Sequence, residues 1–175
     1  MITIRDAEPG DAEAMGLAHA LAWQVAYRGM VADSYLDAIE IPVWVDRWRR
    51  ILAGELAAEG VDPPENVVAE VDGEVVGFAN VGRFRGAPDD PSLGELWAMY
   101  VHPDHWGTGA GYELMQATMA VFQKQKFERV YLWVLEDNQQ ARRFYERQGW
   151  RAETETMTGE FGGEPVAEIR YTIEL

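Results

Sequence analysis

Residues 95–112 read ELWAMYVHPDHWGTGAGY. After Glu95, the run Leu96 to Val101 is apolar on both faces, the pattern of a central strand. From Gly109 onward, Ala110, Leu114, Ala117 and Val121 form a helical stripe. Gly107, Gly109 and Gly111 stand between the two. A strand, a glycine-rich turn and a helix in that order point successive backbone N–H groups into one concavity. Unpaired donors and the positive end of the helix dipole then attract a phosphate or pyrophosphate there. A tight turn that only packs helix on strand is the alternative. A P-loop requires Lys and Ser or Thr after its last glycine, whereas Gly111 is followed by Tyr112-Glu113. A dinucleotide fingerprint wants glycine at Tyr112 and a place near the start of a parallel βαβ array, so it fails as well.

Outward from this stretch, VYLWVL at 130–135 reads as a second buried strand, with Asp137 or Asn138 capping a helix through Gln148 and Gly149 ending it. Upstream, Ile2 to Ala7 alternates like a short strand, and Pro9-Gly10-Asp11 supplies a turn and N-cap for a helix to about Arg28. A second helix is expected over Ser34 to Ala53, followed by Gly54. Glu59 to Glu65, with Pro63-Pro64, reads as a connector. VVAEVDGEVVGFANVG then gives two strands joined at Asp72-Gly73, and Arg85 to Ser92 a polar loop. Two last strands, Arg151 to Thr158 and Val166 to Leu175, flank the turn Phe161-Gly162-Gly163-Glu164.

The chain has 175 residues, enough for one domain that buries roughly two-thirds of the surface its unfolded form exposes. Without cysteine it has neither a disulfide framework nor a thiolate nucleophile. The N-terminus lacks an apolar leader and no window reaches the ~20 apolar residues of a membrane span, which together predict a cytoplasmic protein with no membrane partner. Fifteen Lys and Arg against thirty Asp and Glu leave a net charge of −15, which disfavours nucleic acid and favours cationic partners. His102 and His105 flank Pro103-Asp104 without a further ligand at suitable spacing, so no metal is expected.

Residues 95–112, with Asn138-x-x-Ala141-x-x-Phe144-Tyr145-Glu146-x-x-Gly149-Trp150 following, resemble the two core motifs of the GNAT N-acetyltransferase superfamily. The resemblance covers residues 95–150 closely and the earlier elements in outline. It implies an α+β fold over residues 1–175: a mixed, mostly antiparallel sheet of six or seven strands, flanked by about four helices and splayed between the fourth and fifth strands. Acetyl-CoA would enter that splay as acetyl donor, and an amine acceptor, small molecule or peptide, would take the acetyl group directly in a ternary complex. A domain that binds acetyl-CoA as a sensor or structural module without turnover is the alternative. Homodimers are common in the family.

Residue by residue, the resemblance implies that Met99, Tyr100 and Val101 pair their backbone with the pantetheine arm. Gly107, Thr108, Gly109, Ala110 and Gly111 would wrap the pyrophosphate. Trp106 stands where the family usually has Arg or Gln, so any side-chain contribution at that position is lost. Asn138 matches a family Asn that contacts the pantetheine amide, or is a plain N-cap. Tyr145 matches the tyrosine beside the thioester sulfur, or is a core tyrosine with a wet tip. As an acid it faces a thiolate of pKa about 8.5 with its own at about 10, an uphill transfer of about 2 kcal/mol, so hydrogen-bond stabilisation is expected. Glu95 matches the catalytic glutamate of protein-lysine members, or is an exposed residue at a strand end. At about 4.3 it is far too acidic to strip an ammonium of about 10.4 without a raised pKa or a water relay. Trp23, Tyr27, Tyr35, Trp44 and Trp48 fall in the helices that shape the acceptor cleft in the family.

Overall fold

The computed structural model describes residues 1–55 and 63–175. Seven strands form one sheet: β1 (Ile2–Asp6), β2 (Glu65–Val71), β3 (Glu74–Arg83), β4 (Leu93–Val101), β5 (Arg129–Leu135), β6 (Arg151–Phe161) and β7 (Glu164–Glu174), in the order β1-β2-β3-β4-β5-β7-β6. Every neighbouring pair is antiparallel except β4–β5. The expected mixed, mostly antiparallel sheet is therefore present. Asp72 and Gly73 turn between β2 and β3 with φ of 53° and 89°, the two left-handed residues of a type I′ hairpin.

Five α-helices flank the sheet among the described residues: α1 (Ala12–Ala26), α2 (Asp33–Asp37), α3 (Ile41–Leu52), α4 (Ala110–Lys124) and α5 (Gln139–Arg147). The single helix expected over Ser34 to Ala53 is two. Pro42 has no N–H for the ladder and its ring would clash with the carbonyl four residues back, so it fits only in a first turn; α3 accordingly starts at Ile41. Asp11 occupies the expected N-cap position of α1, yet its carboxylate caps no helix N–H. It accepts the Glu8 N–H at 2.7 Å and both terminal nitrogens of Arg5 at 2.7 and 2.9 Å. Arg5 also binds Glu70, so one guanidinium ties β1, β2 and the entry to α1, and it holds the Asp11 carboxyl below its usual range. Residues 59–62 of the expected connector lie outside the described residues.

Two cores lie on opposite faces of the sheet. On one, α4 and α5 cover Val67, Ala79, Leu96, Val130, Leu132 and Val134, with Leu114, Met115 and Phe122 fully buried. On the other, α1 and α3 cover Val68 and Phe78 with Met15 and Trp48. These two helices touch closely at Gly16, where an added Cβ would lie 2.6 Å from the Val45 Cα. The same face buries His19. Its ring stacks on Tyr100 at 4.2 Å and meets Trp44 edge-on at 4.1 Å, and its Nδ1 accepts the Trp48 indole N–H at 3.2 Å. Burial, reinforced by the charge of Arg47, pushes the His19 pKa well below its ordinary value, so the ring is neutral with its proton on Nε2.

The unfolded chain takes up a proton on His19 below about pH 6.5 that the folded pocket rejects, so stability is highest above that pH and falls as pH drops toward the depressed value. Unfolding free energies from urea titrations between pH 7.5 and 5.5 should fall with a slope of up to about 1.4 kcal/mol per pH unit from this group. His19→Gln, which keeps an acceptor for Trp48, should flatten that part of the dependence.

Candidate active site

Strands β4 and β5 run parallel only from Leu93–Arg129 to Leu96–Leu132. Beyond Leu132, β5 stays paired with β7 through Leu135. Strand β4 bends away at a β-bulge, where Asn80 faces Ala98 and Val81 faces Leu96, so Trp97 is the extra residue. A bulge of this kind kinks its strand and ends pairing on one edge. The Trp97 ring lies against Gly82, where an added Cβ would be 2.7 Å away, and its indole N–H donates to the Arg83 carbonyl at 3.0 Å. The bulge is thereby held on the β3 side, and a gap opens between the C-terminal halves of β4 and β5.

The backbone facing that gap follows from strand alternation. His102 N–H donates to the Val76 carbonyl of β3 at 2.7 Å, so the N–H of Tyr100 also turns toward β3 and those of Met99 and Val101 turn toward the gap. The Val101 carbonyl, on the same side, accepts the Trp106 indole N–H at 2.7 Å. Trp106 thus has a side-chain role that its departure from the family's Arg or Gln did not suggest: it ties the glycine turn to the end of β4.

Each of the three glycines answers to a different demand. Gly107 and Gly109 have φ of 76° and 100°, the left-handed region that L side chains rarely adopt. Gly111 is under neither constraint, since it has no positive φ and an added Cβ would meet Phe144 at 3.8 Å and Val101 at 3.9 Å, ordinary contacts. No contact among the described residues requires glycine there; the space it leaves opens beside Phe144 and Val101. The first helical bond of α4 runs from Glu113 N–H to the Gly109 carbonyl at 3.0 Å, so the N–H groups of Ala110, Gly111 and Tyr112 precede the ladder. Thr108 Oγ1 donates to the His105 carbonyl at 2.7 Å and closes the turn. His102 Nδ1 accepts the Asp104 N–H at 3.2 Å as a cap of the short turn Pro103–His105.

Across the gap, α5 begins at Asn138. Its Oδ1 accepts the Ala141 N–H at 3.1 Å, so it is an N-cap, while its Nδ2 has no acceptor among the described residues. Capping and ligand contact are therefore compatible in one side chain. Tyr145, half-buried on the same helix, packs by its ring on Phe144, Trp150 and Tyr171, and its hydroxyl has no hydrogen-bond partner among the described residues. Burial, with the neighbouring Tyr100 hydroxyl, pushes the Tyr145 pKa well above its ordinary value. On the opposite face, Tyr27 at the end of α1 meets Tyr100 hydroxyl to hydroxyl at 3.3 Å, and burial raises both pKa values. The helix end and β4 thus bring three neutral tyrosine hydroxyls to the mouth of the gap.

Glu95 is elsewhere. It is 1% exposed at the paired end of β4. Its Oε2 accepts the Arg85 N–H at 2.9 Å, and its Oε1 accepts the Arg85 Nε at 3.1 Å and Nη2 as well. Its carboxylate is fully committed to holding the β3–β4 loop. Sequence reasoning passed over Glu168 on β7, which pairs with Leu135 at the open end of β5. It is half-buried, and that burial raises its pKa. One glutamate among several in an exposed hairpin carries no signal in the sequence alone; only the pairing of β7 with β5 brings it to the site.

Residues 23–150 match the family model of the GNAT acetyltransferases. An uncharacterised N-acetyltransferase of Bacillus subtilis, YuaI, is 27% identical over 139 residues, 79% of this chain and 74% of that protein. The spermine/spermidine N(1)-acetyltransferase of Bacillus subtilis is 31% identical over 98 residues, 54% of this chain and 62% of its own length. The crystal structure of the PaiA N-acetyltransferase of Thermoplasma acidophilum in complex with coenzyme A has the same fold at a TM-score of 0.75 and 17% identity, covering 100% of this chain and 99% of that one. Among the described residues no helix is long and apolar enough to cross a membrane. The chain thus belongs to the GNAT acetyltransferase family and is an N-acetyltransferase, with a bulged fourth strand, a gap beside it and a glycine turn at the start of α4.

Proposed function

We propose that residues 1–175 act as one unit that transfers acetyl directly from acetyl-CoA to a primary amine, with donor and acceptor bound together on opposite faces of the gap. The observation that carries this reading is the splay at Trp97, which leaves the N–H groups of Met99 and Val101 without a strand partner between two differently lined faces. One face carries the anion-binding turn and the other an aromatic cleft.

The residues present suit the donor. The N–H groups of Gly107 to Gly111 at the positive end of α4 would hold its pyrophosphate, and the side-chain-free space at Gly111 would admit it. The edge of β4 at Met99, Tyr100 and Val101 would take the pantetheine amides as a further strand takes its neighbour, and the spare Nδ2 of Asn138 would donate to the same arm. Acetyl-CoA supplies an activated thioester. A β4 N–H at Met99 would polarise its carbonyl. The Tyr145 hydroxyl would donate a hydrogen bond to the sulfur as it becomes thiolate. Its raised pKa makes outright proton transfer more uphill than for a solvated tyrosine, so it acts as a hydrogen-bond donor. Glu95, whose two carboxylate oxygens both accept hydrogen bonds from Arg85, stays out of the proton path in this reading.

For the acceptor, Trp23, Tyr27 and Tyr35 form an aromatic cluster with Phe161, 5.2 Å from Trp23, and Trp44 packs on Trp23 at 5.3 Å; this cluster would wall the acceptor side. Aromatic walls in a chain of net charge −15 suit a cationic amine. The spermine/spermidine N(1)-acetyltransferase of Bacillus subtilis, a relative of this chain, acts on cations of this kind.

Thiol release from acetyl-CoA should rise well above its hydrolysis with one member of a panel of polyamines, aminoglycosides, amino acids and peptides with free amines. Binding of acetyl-CoA with no release across the panel would argue for a non-catalytic module. Tyr145→Phe should lower kcat by about a hundredfold with little change in the KM for acetyl-CoA, and an unchanged kcat would remove the hydroxyl from the mechanism. Asn138→Ser keeps a capping oxygen but loses the amide donor. Its thermal midpoint should stay near that of the wild type while the KM for acetyl-CoA rises severalfold, and Asn138→Ala should in addition lose about 1 kcal/mol of stability.

A further inference from the structure

A half-buried carboxylate without a counter-ion among the described residues, Glu168, stands beside the aromatic cluster at the gap. Along β7, alternation places Val166, Glu168 and Arg170 on one face of the sheet. Val166 packs with Trp23, Tyr27, Tyr35, Phe161 and Leu135 in the aromatic cluster beside the gap. Arg170, the cation next along this face, is turned away from Glu168. It binds Glu153 at 2.5 Å and Glu155 at 3.2 Å on β6, and lies over the rings of Tyr131 at 4.9 Å, Trp133 at 5.9 Å and Phe84 at 5.8 Å. Arg85 acts on Glu168 only through space, being bound to Glu95. Glu168 itself has no hydrogen bond and no ion pair among the described residues, although its charge is felt by the hydroxyls of both Tyr27 and Tyr100 at the mouth of the gap.

Leaving a half-buried carboxylate unpaired is unfavourable, and the neighbouring carboxylates of Glu95, Glu153 and Glu155 are each paired with an arginine. A group held in such a state inside a cleft marks a place where the partner comes from outside. The partner must be a cation that donates hydrogen bonds. An ammonium seated on Glu168 would lie between the tyrosine hydroxyls, which can accept its remaining protons, and against the faces of the surrounding rings. A carboxylate next to that ammonium would be repelled by Glu168, so α-amino acids are excluded.

We propose that Glu168 is the acceptor-binding carboxylate, selecting an aliphatic primary ammonium that has no neighbouring carboxylate. This rests on the N-acetyltransferase reading above. It assigns Glu168 to recognition: the carboxylate holds the amine in the cleft, and the amine must reach its neutral form before it attacks.

The test is equilibrium binding of spermidine and 1,4-diaminobutane to the protein saturated with coenzyme A, by calorimetry, alongside steady-state kinetics with the best amine of the panel. Loss of one charge-assisted contact should weaken binding of both amines roughly ten- to hundredfold in Glu168→Gln. Glu168→Asp should lie in between. The KM for the amine should rise while that for acetyl-CoA stays the same. Glu164→Gln, an exposed carboxylate at the start of the same strand, should change nothing and so controls for overall charge. Equal amine affinity in wild type and Glu168→Gln, no binding of either amine to the wild type at millimolar concentration, or an equal loss of acetyl-CoA affinity would each overturn the proposal. Weakened amine binding in Glu168→Gln together with absent turnover in the wild type would sustain the role of Glu168 and overturn the acetyltransferase reading instead.

Discussion

The insertion of Trp97 between the pairs Asn80–Ala98 and Val81–Leu96 is the constraint from which the site follows. A regular β4 would continue to pair with β5 past Leu96 and close the sheet. With one extra residue the strand swings toward β3, and the polar edges of both strands are left facing each other across open space. Unpaired main-chain donors are expensive to bury, so such a gap persists only where water or a ligand supplies partners. The indole of Trp97 over Gly82, bonded to the Arg83 carbonyl, and the Glu95–Arg85 pair immediately before it clamp the strand on the closed side.

Around this gap the molecule divides its charges by purpose. Arg5 with Asp11 and Glu70, Arg85 with Glu95, and Arg170 with Glu153 and Glu155 join elements distant in sequence, and each carboxylate is compensated. The groups at the mouth are the reverse. The Tyr145 hydroxyl has no hydrogen-bond partner and Glu168 no counter-ion among the described residues, while Tyr27 and Tyr100 meet hydroxyl to hydroxyl. Burial keeps the three hydroxyls neutral by penalising the phenolate, which suits them to donate hydrogen bonds to a developing anion. His19 stacked on Tyr100, and bonded to Trp48, locks the β4 side of this arrangement to the helices behind it.

Much of the fold was legible because its elements carry local signals. The Asp72-Gly73 hairpin needs two left-handed residues, the apolar runs of β4 and β5 are too continuous for half-exposed strands, and the glycine turn marks the start of α4. The reading failed where a local signal was weighed against the wrong neighbour. A continuous helix over 34–53 ignored that Pro42 is tolerated only in a first turn, and Asp11 as a helix cap ignored an arginine six positions earlier in sequence that takes its carboxylate. Trp106 looked like a loss because the family places a cation there, while its indole N–H finds an acceptor in Val101 that only the folded turn brings near.

The sequence by itself determined the order of elements, the glycine turn at the start of α4 and the membership of the chain in its family, since these depend on short-range periodicity and on backbone freedom at particular glycines. Tertiary structure alone decided which carboxylate is free. Glu95 and Glu168 are indistinguishable as residue types, but one meets the Arg85 guanidinium across a loop while Arg170, two residues along the strand from the other, is drawn to the carboxylates of β6. The ionisation and availability of a side chain are set by whatever charges, rings and solvent fold around it, and those neighbours come from residues far apart in the chain.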